Sequence, residues 1–254
     1  MTLKEMATEL EQILRLDTRP VGIKMYEQAE NLPKKAMPHK INICQIVSIA
    51  RYQGRDNAGV PEKMICSMGA ACVGLIKTTQ AIASGKAAVG PYCKDEVAGK
   101  QFMANTYKIG DNGKKYSGIY AAALENSKEE PDVVVIYANP AQIMRLIHAN
   151  TYDAGEKTTA DTVAEAALCS SIGYALEENK PVIGFPCAGD RIFGGTQNQE
   201  MVFAAPFKLF KEKLIENLKK TAEGGFSVFP VPPNMHWTPA MPPTYTIQDK
   251  DLSE

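Results

Sequence analysis

The chain has 254 residues, 28 basic and 29 acidic, and its net charge of −1 gives no electrostatic signature for nucleic acid or an anionic membrane. Its 44% apolar and 22% charged residues are ordinary for a soluble globular protein. Six cysteines are too dilute for a small disulfide-stapled domain. We therefore expect a domain with a sizeable core and neither a nucleic-acid nor a membrane partner.

The N-terminal residues predict a helix and not a secretion signal. Thr2 and Glu5 have the spacing of a capping box, and apolar residues follow at helical intervals. The best apolar run, residues 68–76, is far shorter than the about 20 residues that cross a bilayer. We expect a cytoplasmic protein whose thiols are reduced.

The first half of the chain predicts both strands and helices. Residues 21–26 alternate between apolar and other side chains, which is typical of a half-buried strand. Helices are predicted at residues 41–52 and 95–107, and strands at residues 63–66 and 117–122.

The second half contains the clearest strand-to-helix junction. Residues 132–137 are apolar enough for a strand buried on both faces, and Asn139 with Pro140 supplies an N-cap and a first-turn proline. The remaining predictions are a helix at 162–178, strands at 181–186 and 201–204, and an amphipathic helix at 207–218 that Gly224 and Gly225 would end.

These elements predict one α/β domain, with α+β as the alternative, in which helices flank a mixed β-sheet. We place the domain at residues 1–229 and a proline-rich C-terminal tail at residues 230–254. Its prolines exclude a regular helix or a central strand. Its aromatic residues favour wrapping over the domain or over a second subunit of a homo-oligomer, and disorder is the alternative.

Standard catalytic signatures are absent from the sequence. It contains no phosphate-binding loop, dinucleotide fingerprint, His-Glu-x-x-His motif or serine-nucleophile elbow. Three histidines disfavour histidine-based metal sites and triads. Without a Cys-x-x-Cys pair, a zinc ribbon or a thioredoxin-type site is not indicated either.

Cysteine is therefore the main candidate for chemistry. Cys66 and Cys187 follow predicted strands beside turn-forming residues, and a helix start after Cys66 would favour a thiolate. Cys44 and Cys169 lie in predicted helices. For any single cysteine, burial as a small hydrophobe is the competing interpretation.

Two further cysteines fit simpler interpretations. Cys72 lies in a run of small apolar residues and is predicted to be core, whereas Cys93 has the surroundings of a loop thiol. The loop that begins at Cys187 offers a second candidate site in Gly189, Asp190 and Arg191. Arg191 could hold a carboxylate or a phosphate, or it could contact Asp190 and only order the loop.

Several segments, taken in order, resemble the family catalogued as domain of unknown function 169. They are residues 19–24, 44–45, 66–71, 139–142, 186–191, 200–201 and 230–233. The resemblance implies kinship with proteins found largely in anaerobic archaea and bacteria, and no particular reaction. The family's cysteine-bearing segments match Cys44, Cys66 and Cys187 and, less closely, Cys169. Ser67-Met68 stands where the family has Pro-Gly, so we expect a different turn there.

Three hypotheses follow. The first is a redox or electron-transfer protein with a redox partner and an iron–sulfur cluster, most simply [4Fe–4S], on Cys44, Cys66, Cys169 and Cys187. Against it, these cysteines are dispersed along the chain, unlike the compact ferredoxin run.

The second hypothesis is an enzyme or binding module for a small anionic ligand at Gly189, Asp190 and Arg191, with Cys187 as the candidate nucleophile. A haem or other tetrapyrrole with a cysteine axial ligand is a variant of it. The third is an assembly or scaffold protein that docks through its tail.

Overall fold

The computed structural model describes residues 1–33, 35–153, 155–160 and 163–223. The predicted tail at 230–254 and the helix-ending Gly224 and Gly225 lie outside these residues, so those expectations stay predictions. Within the described ranges, every helix is too short or too polar to traverse a bilayer.

The described residues form strands and helices as follows. The strands are β1 (Val21–Tyr26), β2 (Asn57–Gly59), β3 (Gly118–Ala123), β4 (Val133–Ala138), β5 (Thr159–Ala160), β6 (Val182–Gly184) and β7 (Met201–Pro206). The helices are α1 (Leu3–Leu14), α2 (Ile43–Gln53), α3 (Ser67–Cys72), α4 (Gln80–Ala83), α5 (Glu96–Ala104), α6 (Pro140–Thr151), α7 (Ala167–Glu178), α8 (Ala188–Gly194), α9 (Phe207–Leu209) and α10 (Ile215–Ala222). A π-helical turn, Phe210–Leu214, joins the last two helices.

The strands form one mixed sheet in the order β2-β3-β1-β4-β7-β6-β5. β5 and β6 are parallel, and the other neighbouring strands are antiparallel. Helices cover both faces of this sheet, which confirms the predicted α/β fold.

Two apolar cores lie on opposite faces of the sheet because successive strand residues point to opposite sides. On β4, Val133 and Val135 pack with apolar residues of α2, α3 and α7. Val134 and Ile136 pack with α1, α6 and the C-terminal helical segment. The candidate site described below lies on the α2, α3 and α7 side.

The two predicted helix starts are confirmed in their hydrogen bonds. The Glu5 N–H donates to Thr2 Oγ1 at 3.2 Å, and the Thr2 N–H donates to Glu5 Oε2 at 2.8 Å. Asn139 and Gln142 form the same reciprocal pair at 3.0 and 2.8 Å, directly after β4. Local sequence patterns were sufficient here because a cap satisfies backbone groups only three residues away.

The prediction of a half-buried β1 was wrong. Val21, Ile23 and Met25 do face one core. The opposite side is covered as well, since Gly22 packs under Ser127 and Pro131, and only Lys24 in this strand is not fully buried. β1 lies between β3 and β4 near the centre of the sheet, which the alternation alone could not indicate.

Two further predictions need correction. Residues 63–66 are not a strand: Pro61–Lys63 is a 3₁₀ turn, and Met64 makes only an isolated bridge to Ile41. The helix predicted from residue 162 begins instead at Ala167, because Ala164 and Ala166 have left-handed backbone conformations that a helix cannot include.

Helices α3 and α7 approach each other closely. A Cβ on Gly173 of α7 would lie 2.3 Å from the Cys72 carbonyl oxygen of α3. A Cβ on Gly69 of α3 would lie 3.0 Å from Cys169 Sγ of α7. Neither position has room for a side chain without a shift of its neighbour.

We predict that Gly173→Ala lowers the free energy of unfolding by about 1–3 kcal/mol, because the new methyl group meets a backbone oxygen that cannot turn away. Urea denaturation measures this change. Gly189→Ala is the matched control, since its Cβ would meet only Cys187 Sγ at 3.8 Å. Equal stability of the two variants would contradict the close approach.

Candidate functional site

A cavity of about 300 Å³ is lined by all four cysteines that the sequence singled out as metal ligands. Cys44 comes from α2 and Cys169 from α7, while Cys66 and Cys187 are the residues that precede α3 and α8. Four separate elements thus each contribute one thiol. We refer to this cavity as the cysteine pocket.

Two of these cysteines are helix N-caps. Cys66 Sγ accepts a hydrogen bond from the Gly69 N–H at 3.3 Å, and Cys187 Sγ accepts one from the Asp190 N–H at 3.4 Å. Serine, threonine, asparagine and aspartate are the usual residues at this position. The placement of Cys66 at a helix start agrees with the sequence analysis, and Cys187 has the same geometry.

The remaining two thiols lie on two different helices. Cys44 is on α2 and Cys169 is on α7, and both line the pocket. Cys169 is only 3% exposed, whereas Cys66 lies at the surface. The sulfurs of Cys66 and Cys169 lie 3.6 and 3.0 Å from the point where a Cβ on Gly69 would stand, so Gly69 separates them only narrowly.

The surroundings favour the neutral form of three thiols. Desolvation of the sulfur atom raises the pKa of Cys66, although the residue as a whole is exposed, and it raises the pKa of Cys187 as well. Backbone hydrogen bonds to both sulfurs act in the opposite direction. An interaction with the Cys44 side chain, followed by burial, raises the pKa of Cys169 well above its usual value. Nucleophilic cysteines have lowered pKa values, so these surroundings do not support Cys187 as a nucleophile. Metal binding would displace the protons.

The other two cysteines lie outside the pocket lining. Cys72 is fully buried in the core, as predicted. Cys93 is partly exposed, and its Sγ contacts the Asp95 carbonyl oxygen at 3.4 Å.

Among the described residues, no group of three or more histidine, cysteine, aspartate or glutamate side chains is arranged so that it could hold a metal ion. The four thiols therefore share a cavity without converging on one point.

The predicted ligand-binding residues Gly189, Asp190 and Arg191 take different positions. Gly189 lines the cysteine pocket. Asp190 is fully buried, and its carboxylate oxygens accept hydrogen bonds from the Tyr137 hydroxyl at 3.0 and 2.9 Å. Arg191 Nη1 donates to the Gln197 carbonyl oxygen at 2.8 Å. Thus Asp190 faces β4 and Arg191 orders its own loop, so neither side chain is part of the pocket wall.

A buried charged network behind the pocket was missed by the sequence analysis. Arg51 of α2 is 1% exposed and donates to both carboxylate oxygens of Glu200, at 3.0 and 2.9 Å. Its guanidinium carbon lies 3.7 Å from the ring centre of Tyr137 and 4.3 Å from that of Tyr52. The burial of Arg51 could have been inferred from the sequence, because Arg51 lies one turn after Val47 on the buried face of α2.

Glu165 is the other residue that sequence analysis missed. It lines the cysteine pocket and is 9% exposed, and its Oε2 has no hydrogen-bond partner among the described residues. Burial raises its pKa to about 7, with Lys108 acting in the opposite direction. The sequence prediction placed Glu165 inside a helix that begins at residue 162. A regular helix would give its side chain a different position from the one observed.

We predict that Tyr137→Phe lowers the free energy of unfolding by about 1–3 kcal/mol, because buried Asp190 loses its hydroxyl donor. The matched control is Tyr120→Phe, whose hydroxyl donates at 3.2 Å to Asp56, a partly exposed carboxylate that water can reach. Its loss should be smaller than about 1 kcal/mol in urea denaturation. Similar losses in both variants would contradict a special role for the Asp190 contact.

For Glu165→Gln we predict a pH-dependent gain in stability of the metal-free protein. Burial raises the pKa of Glu165 in the folded state from 4.5 to about 7. The contribution of the protonated carboxyl group to the free energy of unfolding is therefore complete below about pH 4.5 and is lost as the pH rises through about 7, where the buried group ionises. Relative to wild type, the variant should therefore gain about 1–3 kcal/mol between about pH 4.5 and pH 8, since water that reaches part of the carboxyl group reduces the full effect. Urea denaturation under reducing conditions measures it, with exposed Glu216→Gln as the control. A gain independent of pH would be inconsistent with burial of an ionisable Glu165.

Comparison with known proteins relates the chain to other uncharacterised sequences. It is 26% identical over 216 residues to the uncharacterized protein MJ0308 of Methanocaldococcus jannaschii, covering 83% of this chain and 91% of that protein. No solved structure matches the chain. The family model DUF169, described as uncharacterised ArCR, matches residues 9–217, a range that includes all four pocket cysteines. The chain therefore belongs to the family of domain of unknown function 169.

Proposed function

We propose that the cysteine pocket holds an iron–sulfur cluster, most simply [4Fe–4S], ligated by Cys44, Cys66, Cys169 and Cys187, and that the protein transfers electrons to or from a redox partner. The observation that carries this proposal is that these four cysteines, dispersed along the chain, line one cavity.

The donor set supports a cluster more than a single ion. Four cysteine thiolates are the usual ligands of a [4Fe–4S] cluster. Each thiolate binds a different iron of such a cluster, so the ligands surround a body of several atoms. A zinc ion instead needs all four sulfurs at about 2.3 Å from one centre. Thiols that share a cavity without meeting at one point are thus compatible with a cluster.

The surroundings of the thiols also support a redox role. The Gly69 and Asp190 N–H groups already donate to the sulfurs of Cys66 and Cys187, and hydrogen bonds to ligand sulfurs tune the reduction potential of a cluster. Cys169 and Cys187 are buried, whereas Cys66 is exposed. A cluster held here would have one side close to the surface, where an electron could pass to a partner.

The competing hypotheses have less support. Among the described residues that line the pocket, none is lysine, arginine or histidine, so an anionic metabolite would meet no positive side chain there. A haem with a cysteine axial ligand remains an alternative cofactor, and its absorption spectrum differs from that of an iron–sulfur cluster.

The test is anaerobic purification followed by absorption and electron paramagnetic resonance spectra and by iron and acid-labile sulfide analysis. We predict about four irons and four sulfides per chain, and loss of most of this content on replacing any one of the four ligands by serine. Cys93→Ser is the matched control, because this thiol lies outside the pocket lining, and it should retain the cluster.

A colourless wild-type protein without iron, prepared without oxygen, would overturn the proposal. So would a cluster whose content is unchanged in the Cys66→Ser and Cys169→Ser variants.

A further inference from the structure

Glu165 is a buried carboxyl group that the four-cysteine site does not use. It lines the same pocket, is 9% exposed, and has one carboxylate oxygen that is enclosed without a partner among the described residues. An unpaired buried carboxylate is costly, so such groups are normally paired with a donor or a cation.

The basic side chain whose charge acts on Glu165 is already engaged. Lys108 interacts with Glu165 only at longer range, as a charge. Its Nζ donates to the carbonyl oxygens of Met103 and Thr106 at 2.7 and 2.6 Å and lies 3.3 Å from Asp111 Oδ2. A cation that paired directly with Glu165 would therefore have to come from outside the described part of the chain.

The backbone around Glu165 is held in an unfavourable conformation. Ala164 has φ 57° and Ala166 has φ 48°, and in this left-handed region the Cβ of alanine crowds the following carbonyl oxygen. These two alanines flank Glu165 on either side and displace it from α7. Strain of this kind is retained where the surrounding structure requires it.

The walls near the carboxylate are apolar and aromatic. Ile65, Tyr92 and Phe193 line the pocket, and all three are exposed at the surface of the protein. Aromatic side chains pack favourably against an apolar or aromatic body. Glu165 is also the only acidic or basic side chain, cysteines aside, among the described lining residues.

We propose that the part of the cysteine pocket lined by Glu165, Tyr92 and Phe193, and not the four thiols, binds a small organic cation, an ammonium group on an apolar or aromatic body, with the ammonium on Glu165 and the body between Tyr92 and Phe193. This ligand goes beyond the proposed iron–sulfur cluster and does not depend on it. A hard metal ion such as Mg²⁺ is disfavoured because it requires several oxygen ligands, and the described lining offers one carboxylate.

The experiment is calorimetric titration of the anaerobically purified protein with benzylammonium, benzyl alcohol and benzoate at about pH 8, where Glu165 is ionised. These probes share a ring and differ in charge. We expect benzylammonium to bind at least about ten-fold more tightly than benzyl alcohol, and benzoate not to bind. Iron analysis of the same sample shows separately whether the cluster is present. A protein that lacks the cluster can therefore be distinguished from a protein that does not bind the cation.

Glu165→Gln should weaken benzylammonium binding by at least about ten-fold. Glu62→Gln, an exposed carboxylate on the turn before Cys66, should leave it unchanged. Phe193→Ala, at a half-exposed position, should weaken it about three-fold or more. Equal binding of benzyl alcohol, no binding of benzylammonium, or wild-type affinity in Glu165→Gln would overturn the proposal.

Discussion

Helices α3 and α7 can approach closely because a glycine stands at each of their two contact points. Gly173 lies against the Cys72 carbonyl oxygen and Gly69 lies against Cys169 Sγ. This packing brings the loop that carries Cys66 to the face of α7 that carries Cys169. Without it the pocket would lose part of its wall, since residues of both α3 and α7 line the cavity. The candidate site is therefore a consequence of helix packing on one face of the sheet.

Buried polar groups in and near the pocket differ in whether they have partners. Arg51 pairs with Glu200 and Tyr137 pairs with Asp190, so each of these buried charges has a partner. This network joins α2, β4 and α8, the elements that carry or adjoin Cys44 and Cys187. Glu165, which lines the pocket, has an oxygen with no partner among the described residues. The paired groups hold the scaffold in place, and the unpaired one is available to a ligand.

The two proposed ligands agree with the electrostatics of the cavity. Its described lining contains thiols and one carboxyl group but no basic side chain. A thiol becomes a metal ligand when it gives up its proton to water, whereas a carboxylate pairs with a cation directly. The iron ions of the proposed cluster would thus meet thiolates and the organic cation would meet a carboxylate, whereas the anionic metabolite that Arg191 suggested in the sequence would meet no basic side chain among the described lining residues. Arg191 instead holds its own loop through the Gln197 carbonyl oxygen.

The sequence by itself determined the features that depend on neighbouring residues. Hydrogen bonds and side-chain periods within a few positions predict the capping boxes at Thr2 and Asn139 and the buried strand β4. They also predict that Cys66 lies at the start of a helix. Sequence context and the family resemblance together selected four of the six cysteines. Only the tertiary structure decided that they share a cavity, that β1 is covered on both sides, and that Glu165 joins the site. These features depend on segments that are distant in the chain and on two strained alanines, and neither leaves a periodic pattern in the sequence.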